Sequence, residues 1–252
     1  MSENKTVLSI LAHPDDCEFM CAGTLALLKE KGWDVHIATM TPGDCGSAEY
    51  NREEISKIRR AEGADAAGVI DGTYHCLECD DVFIMYDRPT LLKVIKLLRE
   101  VKPAIVFAPS GEDYFIDHEN TSRLVWTATF AGGMMNVDVG VEPYEPVPTL
   151  YYVDAMDGKD KYGNLLEPRI YSDITSTIDT KEKMLCCHAS QRNWLLAHHG
   201  VDEYTHSMRR FAEKRGKEAG VTYGEGFRQH LGHSYPENNI LKDILGDKII
   251  EK

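Results

Sequence analysis

Apolar residues in this chain fall into short continuous runs separated by longer amphipathic stretches. Val7–Leu11, Val35–Met40 and Ala104–Ala108 are runs of the first kind, and each predicts a strand buried on both faces. A further short strand is expected near Ile70–Tyr74. Between the runs, helical spacing predicts Met20–Lys31, closed by Gly32, and Arg52–Ala67, closed by Gly68. It also predicts Pro89–Glu100, with Leu91, Leu92, Ile95 and Leu98 on one face, and then Glu119–Ala131. Strand and helix thus alternate, which implies an α/β fold: a Rossmann-like three-layer sandwich with a mostly parallel central sheet.

The second half reads differently. Met134–Pro148 is loose and rich in Gly and Pro, Thr149–Val153 and Arg169–Ile174 read as strands, and Asp157–Asn164 is a polar insertion between them. Thr180–Ala189 and Glu203–Ala219 complete the helices of an elaborated C-terminal part. With no repeat, low-complexity segment or linker, residues 1–252 are expected to form a single domain.

Composition narrows the function classes. A formal net charge of -13 argues against a general nucleic-acid binder, which needs clustered Lys and Arg. No apolar run approaches the roughly 18 residues of a membrane span, and the first residues lack a secretory pattern, so a cytoplasmic protein without a membrane partner is expected. Seven cysteines, an odd number without small-scaffold spacing, favour reduced thiols. Cys76 and Cys79 form a lone CxxC, read as free thiols rather than a second zinc site.

The chemistry begins where the first strand ends, at Leu11-Ala12-His13-Pro14-Asp15-Asp16. In open α/β sheets ligands bind beyond the carboxyl ends of strands. A neutral imidazole and a carboxylate are ordinary zinc ligands, and a carboxylate left over is a natural general base. The plain alternative is a solvated loop with an Asp capping the next helix. A third ligand should come from another strand end, and the loop after Ala104–Ala108 supplies Asp113, Tyr114, Asp117 and His118. A three-ligand site leaves the fourth zinc position open, the mark of a catalytic centre.

Ala12-His13-Pro14-Asp15-Asp16 followed by Gly23-Thr24-Leu25 resembles the start of the PIG-L/LmbE-like zinc-dependent N-deacetylases. Thr41-Pro42-Gly43-Asp44 resembles that family's loop after strand two, Arg59-Arg60-Ala61-Glu62 its Arg-x-x-Glu helix, and His188-Ala189-Ser190-Gln191 its C-terminal His-x-Ser-Gln. The resemblance implies an LmbE-like fold with His13, Asp16 and His118 holding Zn2+. It implies Asp15 as the base that activates the attacking water, and an N-acetylated amino sugar as the small-molecule substrate. Members of the family often assemble, so a homo-oligomer is a possible state, and an assembly could complete the pocket mouth.

The family commonly reads His-Pro-Asp-His at the third-ligand loop, whereas this chain reads Phe115-Ile116-Asp117-His118. The first His, which the family uses on the tetrahedral oxyanion, is therefore Phe115, which has no proton to donate. His188 is the first expected replacement and Tyr114 the second. Asp117, lacking its usual imidazole, is expected to support His118. Asp44 and Arg59 are expected to meet substrate hydroxyls or an anionic group, with a turn-shaping role for Asp44 and a salt bridge for Arg59 as the plain alternatives. The loops Asp44–Tyr50, Gly132–Pro148 and Asp157–Asn164 are expected to build the acceptor pocket. The paired His198-His199 and His206, His230 and His233 show no ligand spacing, and Trp194 has no assigned role. An amidase for a larger acyl group, or a non-catalytic metal- or sugar-binding member, are the competing readings.

Overall fold

The computed structural model of the chain describes residues 4–192 and 203–252; Trp194, His198 and His199 lie outside them. Among the described residues one sheet runs in the order β3-β2-β1-β4-β5-β7-β6-β8. Its parallel part comprises β1 (Thr6–Leu11), β2 (Asp34–Thr39), β3 (Thr73–Cys76), β4 (Ile105–Ala108) and β5 (Thr149–Val153). Its antiparallel end comprises β6 (Ile170–Asp173), β7 (Gly224–Gln229) and β8 (Ile249–Glu251). The helices are α1 (Asp16–Met20), α2 (Ala22–Glu30), α3 (Arg52–Gly68), α4 (Arg88–Val101), α5 (Ile116–Ala131), α6 (Ile178–Cys186), α7 (Glu203–Ala219) and α8 (Ile240–Leu245). No helix among the described residues is long and apolar enough to cross a membrane.

The unbroken apolar runs are explained by burial on two faces. Val7 and Leu11 of β1 join a core with α2, α6, α7 and α8, while Leu8, Ile10 and Ala12 join a second core with α4 and α5. Strand order reverses at β1, which has β2 on one side and β4 on the other. That switch point opens a crevice beyond the carboxyl ends of β1 and β4.

Three expectations are corrected. The helix expected over Met20–Lys31 is two helices broken at Cys21, because a buried carboxylate from β7 caps the second of them. Glu225 accepts from Gly23 N at 2.9 Å and Thr24 N at 2.8 Å, and pairs with buried Lys181 of α6. The strand expected near Ile70–Tyr74 starts at Thr73, and β7 and β8 carry no apolar run to announce them. In β7, glycine is needed for close packing: a Cβ at Gly226 would lie 2.4 Å from Pro168 Cγ.

The third correction concerns Gly132–Pro148, expected at the pocket. It lies at the opposite end of the sheet. Tyr144 donates to Pro103 O just before β4 and accepts from Asn4 just before β1. Buried Arg99 of α4 fixes the segment by donating to the carbonyls of Gly132, Met134, Val137 and Val141. Since α5 runs back from the crevice, the segment after it must start at the far edge.

Candidate active site

Beyond Leu11 the chain turns sharply through His13-Pro14-Asp15 into α1. Asp15 sits at φ 100°, a left-handed conformation that a non-glycine residue rarely adopts. Its carboxylate makes no capping bond to the helix that follows. Instead Asp15 Oδ2 accepts from Tyr204 Oη at 2.6 Å, with Arg59 Nη2 3.6 Å away. Asp16 folds back, accepting from His13 N at 2.9 Å.

The two loops meet across the switch point. His13 Nδ1 lies 3.5 Å, and His118 Nε2 3.6 Å, from the same oxygen, Asp16 Oδ2. His13, Asp16 and His118 form a group able to hold a metal ion, with one donor atom from each within 4.8 Å of the others. Two imidazoles and one carboxylate fit zinc in its catalytic form. The second donors support that fit, since each imidazole has a carboxylate behind it, as metal-ligating histidines usually do. Asp113 Oδ1 is 3.0 Å from His118 Nδ1, while Asp81 Oδ1 and Asp117 Oδ2 are 3.1 and 3.3 Å from His13 Nε2.

The electrostatics follow from this crowding. Burial raises the Asp15 carboxyl above its ordinary range, with Arg59 opposing. Burial acts the same way on Asp16, but His118 and His13 outweigh it and hold Asp16 well below the usual carboxylate range. Burial disfavours charge on His118 and His13, yet the surrounding carboxylates raise both.

Asp117 does not support His118. Adjacent helical residues point about 100° apart, so Asp117 turns to His13 and accepts from Val82 N at 2.8 Å. His188 is not at the open face. It is 1% exposed, with Nε2 3.3 Å from Glu18 Oε2 and no aligned hydrogen bond on either ring nitrogen. Arg59 is 4% exposed and donates to the carbonyls of Pro14 and Gly43, so it braces the Asp15 turn from behind. Asp44 is committed to Arg52 and to Asp81 N at 2.9 Å. Tyr114 alone of the expected substrate contacts is open, 60% exposed and edge-on to His118 with ring centroids 5.4 Å apart. Phe115 stacks on His13 at 5.3 Å.

The Arg-x-x-Glu helix now has a physical reading. Arg59 faces the Asp15 turn, and Glu62, one turn on, accepts from Ser190 N and Oγ, both at 2.7 Å. One helix thereby ties the first motif to the last. Gly43 and Gly46 leave room for Arg59, since a Cβ on Gly43 would fall 2.3 Å from Arg59 Nη1. Gly43 also sits at φ 69°. Gly43→Ala is therefore expected to displace Arg59 and lower kcat on the order of 10²-fold, the scale of a 1 Å misplacement. Steady-state kinetics at unchanged metal content checks this, and an unaltered kcat would show that the position of Arg59 does not matter to turnover.

Sequence reading missed Asp81, Glu18 and Tyr204, and gave Asp113 no role. Asp81 carried one weak signal, its place after β3, whose carboxyl end points to the same crevice. A cavity of about 320 Å³ lined by Cys45, Gly46, Ser47, Ala48 and Gln191 opens beside the site, in the loop expected to form the pocket. The other such loop, after β5, reaches the site through Lys161, 2.9 Å from Glu119.

Fold and site together define a Rossmann-like α/β protein with a metal-capable centre and an unligated carboxylate at its switch point. Residues 8–129 match the family described as PIG-L: GlcNAc-PI de-N-acetylase. A Bacillus cereus protein named "Probable N-acetyl-alpha-D-glucosaminyl L-malate deacetylase 2" is 30% identical over 205 residues, covering 75% of this chain and 85% of that one. The 4-oxalmesaconate hydratase of Pseudomonas putida is 26% identical, covering 75% of each chain. The solved N,N'-diacetylchitobiose deacetylase of Pyrococcus horikoshii, bound to its inhibitor MPG, superposes with a TM-score of 0.78 at 27% identity, covering 94% of this chain and 88% of that one. The chain belongs to the PIG-L/LmbE deacetylase family.

Proposed function

We propose that this protein is a zinc-dependent hydrolase that removes the acetyl group from an N-acetylated amino sugar or its glycoconjugate. The observation that carries the reading is Asp15: a half-buried carboxylate held by Tyr204 and Arg59 beside the His13, Asp16 and His118 donors, yet not one of them. Relatives named as deacetylases of N-acetylglucosaminyl and diacetylchitobiose substrates support the substrate class. Zinc bound by His13, Asp16 and His118 would lower the pKa of water toward about 7 and polarise the amide carbonyl. Asp15 takes the proton of the attacking water and returns it to the departing nitrogen. Asp15 adjoins Asp16 in the chain without joining the donor group, and Arg59 stabilises its charged form.

The test is acetate release from N-acetylglucosamine conjugates. Activity is expected to vanish on dialysis against a chelator and to return with Zn2+; chelator-insensitive release would refute the mechanism.

Tyr114 supplies the proton that Phe115 lacks. Like any tyrosine hydroxyl it is protonated at neutral pH, and its exposed position leaves it free to donate to the developing oxyanion. Losing such a donor costs about 10²–10³ in kcat, and Tyr114→Phe is expected to show that loss with little change in KM. Adding Phe115→His to that variant should restore part of it. Full activity of Tyr114→Phe would remove Tyr114 from the reaction.

A second reading comes from the relative in Pseudomonas putida, which is named a hydratase. A base and metal without the amide-specific imidazole would serve addition of water across a double bond conjugated to a carboxylate. Loss of substrate absorbance, with no amide cleavage in the acetate assay, separates the two.

A further inference from the structure

Beyond the Cys76-x-x-Cys79 pair, the loop between β3 and α4 carries none of the motifs visible in the sequence, yet it closes the back of His13. Asp81 Oδ1 lies 3.1 Å from His13 Nε2, on the same nitrogen that is hydrogen-bonded to Asp117 Oδ2 at 3.3 Å. Both carboxylates are buried, Asp81 at 6% exposure and Asp117 at 0%. The loop is anchored for this task. Asp81 N donates to Asp44 Oδ1, Asp81 Oδ2 accepts from Cys45 N at 3.2 Å, and Arg52 bridges Asp44 and Asp80. Val82 is held at φ 73°, which a β-branched residue adopts only under constraint. The strained turn aims the Val82 N–H at Asp117 Oδ2, so one Asp117 oxygen serves two donors while Asp81 Oδ1 faces His13.

We propose that Asp81 is a positioning residue for the metal centre: with the hydrogen-bonded Asp117 it surrounds His13 Nε2 with carboxylate, keeps the imidazole proton on that nitrogen and thereby fixes Nδ1 as the metal-binding nitrogen. The proposal rests on the reading that His13, Asp16 and His118 hold zinc. A neutral imidazole has one donor and one acceptor nitrogen, so the group that takes the proton chooses the ligand atom. At His13 the carboxylates sit on Nε2, and Nδ1 faces Asp16. At His118 the arrangement is reversed: Asp113 sits on Nδ1, and Nε2 faces Asp16. The two histidines therefore use opposite nitrogens, each set by a carboxylate from a different loop.

The experiment measures Zn2+ affinity by competition with a chromophoric chelator for the parent chain, Asp81→Ala and Asp81→Asn. Removing such a partner typically weakens metal binding 10–100-fold. That loss is expected for Asp81→Ala, and Asp81→Asn, which keeps an acceptor oxygen and suits a backbone that the Ala variant disturbs, should recover part of it. Long-range 1H–15N spectra of the zinc-loaded parent are expected to show His13 protonated at Nε2. Zn2+ affinity of both variants within twofold of the parent, or His13 protonated at Nδ1, overturns the proposal while leaving the metal reading intact. A parent chain that takes up no Zn2+ overturns both.

Discussion

Asp15→Asn is expected to keep its zinc and lose most of its turnover. The substitution preserves size, the acceptor oxygen facing Tyr204, and all three metal donors, so metal content and fold should match the parent. It removes the carboxylate that the proposed mechanism uses to accept and return the proton. General acid–base catalysis contributes typically 10²–10⁴-fold, and the loss in kcat should fall in that range. Metal analysis on the same preparation used for kinetics separates this from metal loss. Turnover within threefold of the parent, at full zinc content, would take the base role from Asp15. The strained φ of 100° gives the expectation its physical edge. Such a conformation persists only where the surroundings hold it, and here Tyr204 and Arg59 do so from two different helices.

The largest effect on stability is expected at Glu225. Its carboxylate accepts from Gly23 N, Thr24 N and Thr24 Oγ1, and pairs with Lys181 Nζ at 2.5 Å, with both side chains 2% exposed. Breaking a buried pair by removing one partner leaves the other charge uncompensated and costs about 3–5 kcal/mol. Here two amino-terminal N–H groups of α2 lose their acceptor as well. For a chain of this size Glu225→Ala should lower Tm by roughly 6–20 °C. Glu225→Leu combined with Lys181→Met should recover much of that, because an apolar replacement removes both charges together. A melting temperature for Glu225→Ala within 2 °C of the parent would mean that the pair does not anchor α2.

The same pair shows why part of the fold was hidden in the sequence. β1, β2 and β4 announce themselves because both their faces are buried, and α4 because one of its faces is. β7 reads Gly-Glu-Gly-Phe-Arg-Gln, which has neither run nor alternation. It is a strand because Gly226 admits Pro168, Gly224 admits the backbone of α7, and Glu225 reaches α2. Contacts with distant segments decide it, and no local pattern reports them. The break at Cys21 has the same origin.

The site divides along the same line. The meeting of His13, Asp16 and His118 in one metal-capable group, with Asp15 next to it, was legible because a strand end fixes where the following loop emerges, and few residue types can bind a metal. Side-chain direction was not legible. Asp117 faces His13 rather than His118, and His188 and Arg59 lie behind the base rather than before the substrate. Gly132–Pro148 lies at the wrong end of the sheet for a pocket.

By itself, then, the sequence determined the parallel α/β framework, the two loops that meet at its switch point, and the metal-capable group and adjoining carboxylate they carry. These depend on hydrophobic period and on residue chemistry, both of which are local. The tertiary structure alone decided which carboxylate stands behind each imidazole, that Tyr204 and Arg59 grip Asp15, and that Tyr114 is the open donor beside Phe115. Those depend on side-chain direction and on segments far apart in the chain, which meet only when the sheet closes.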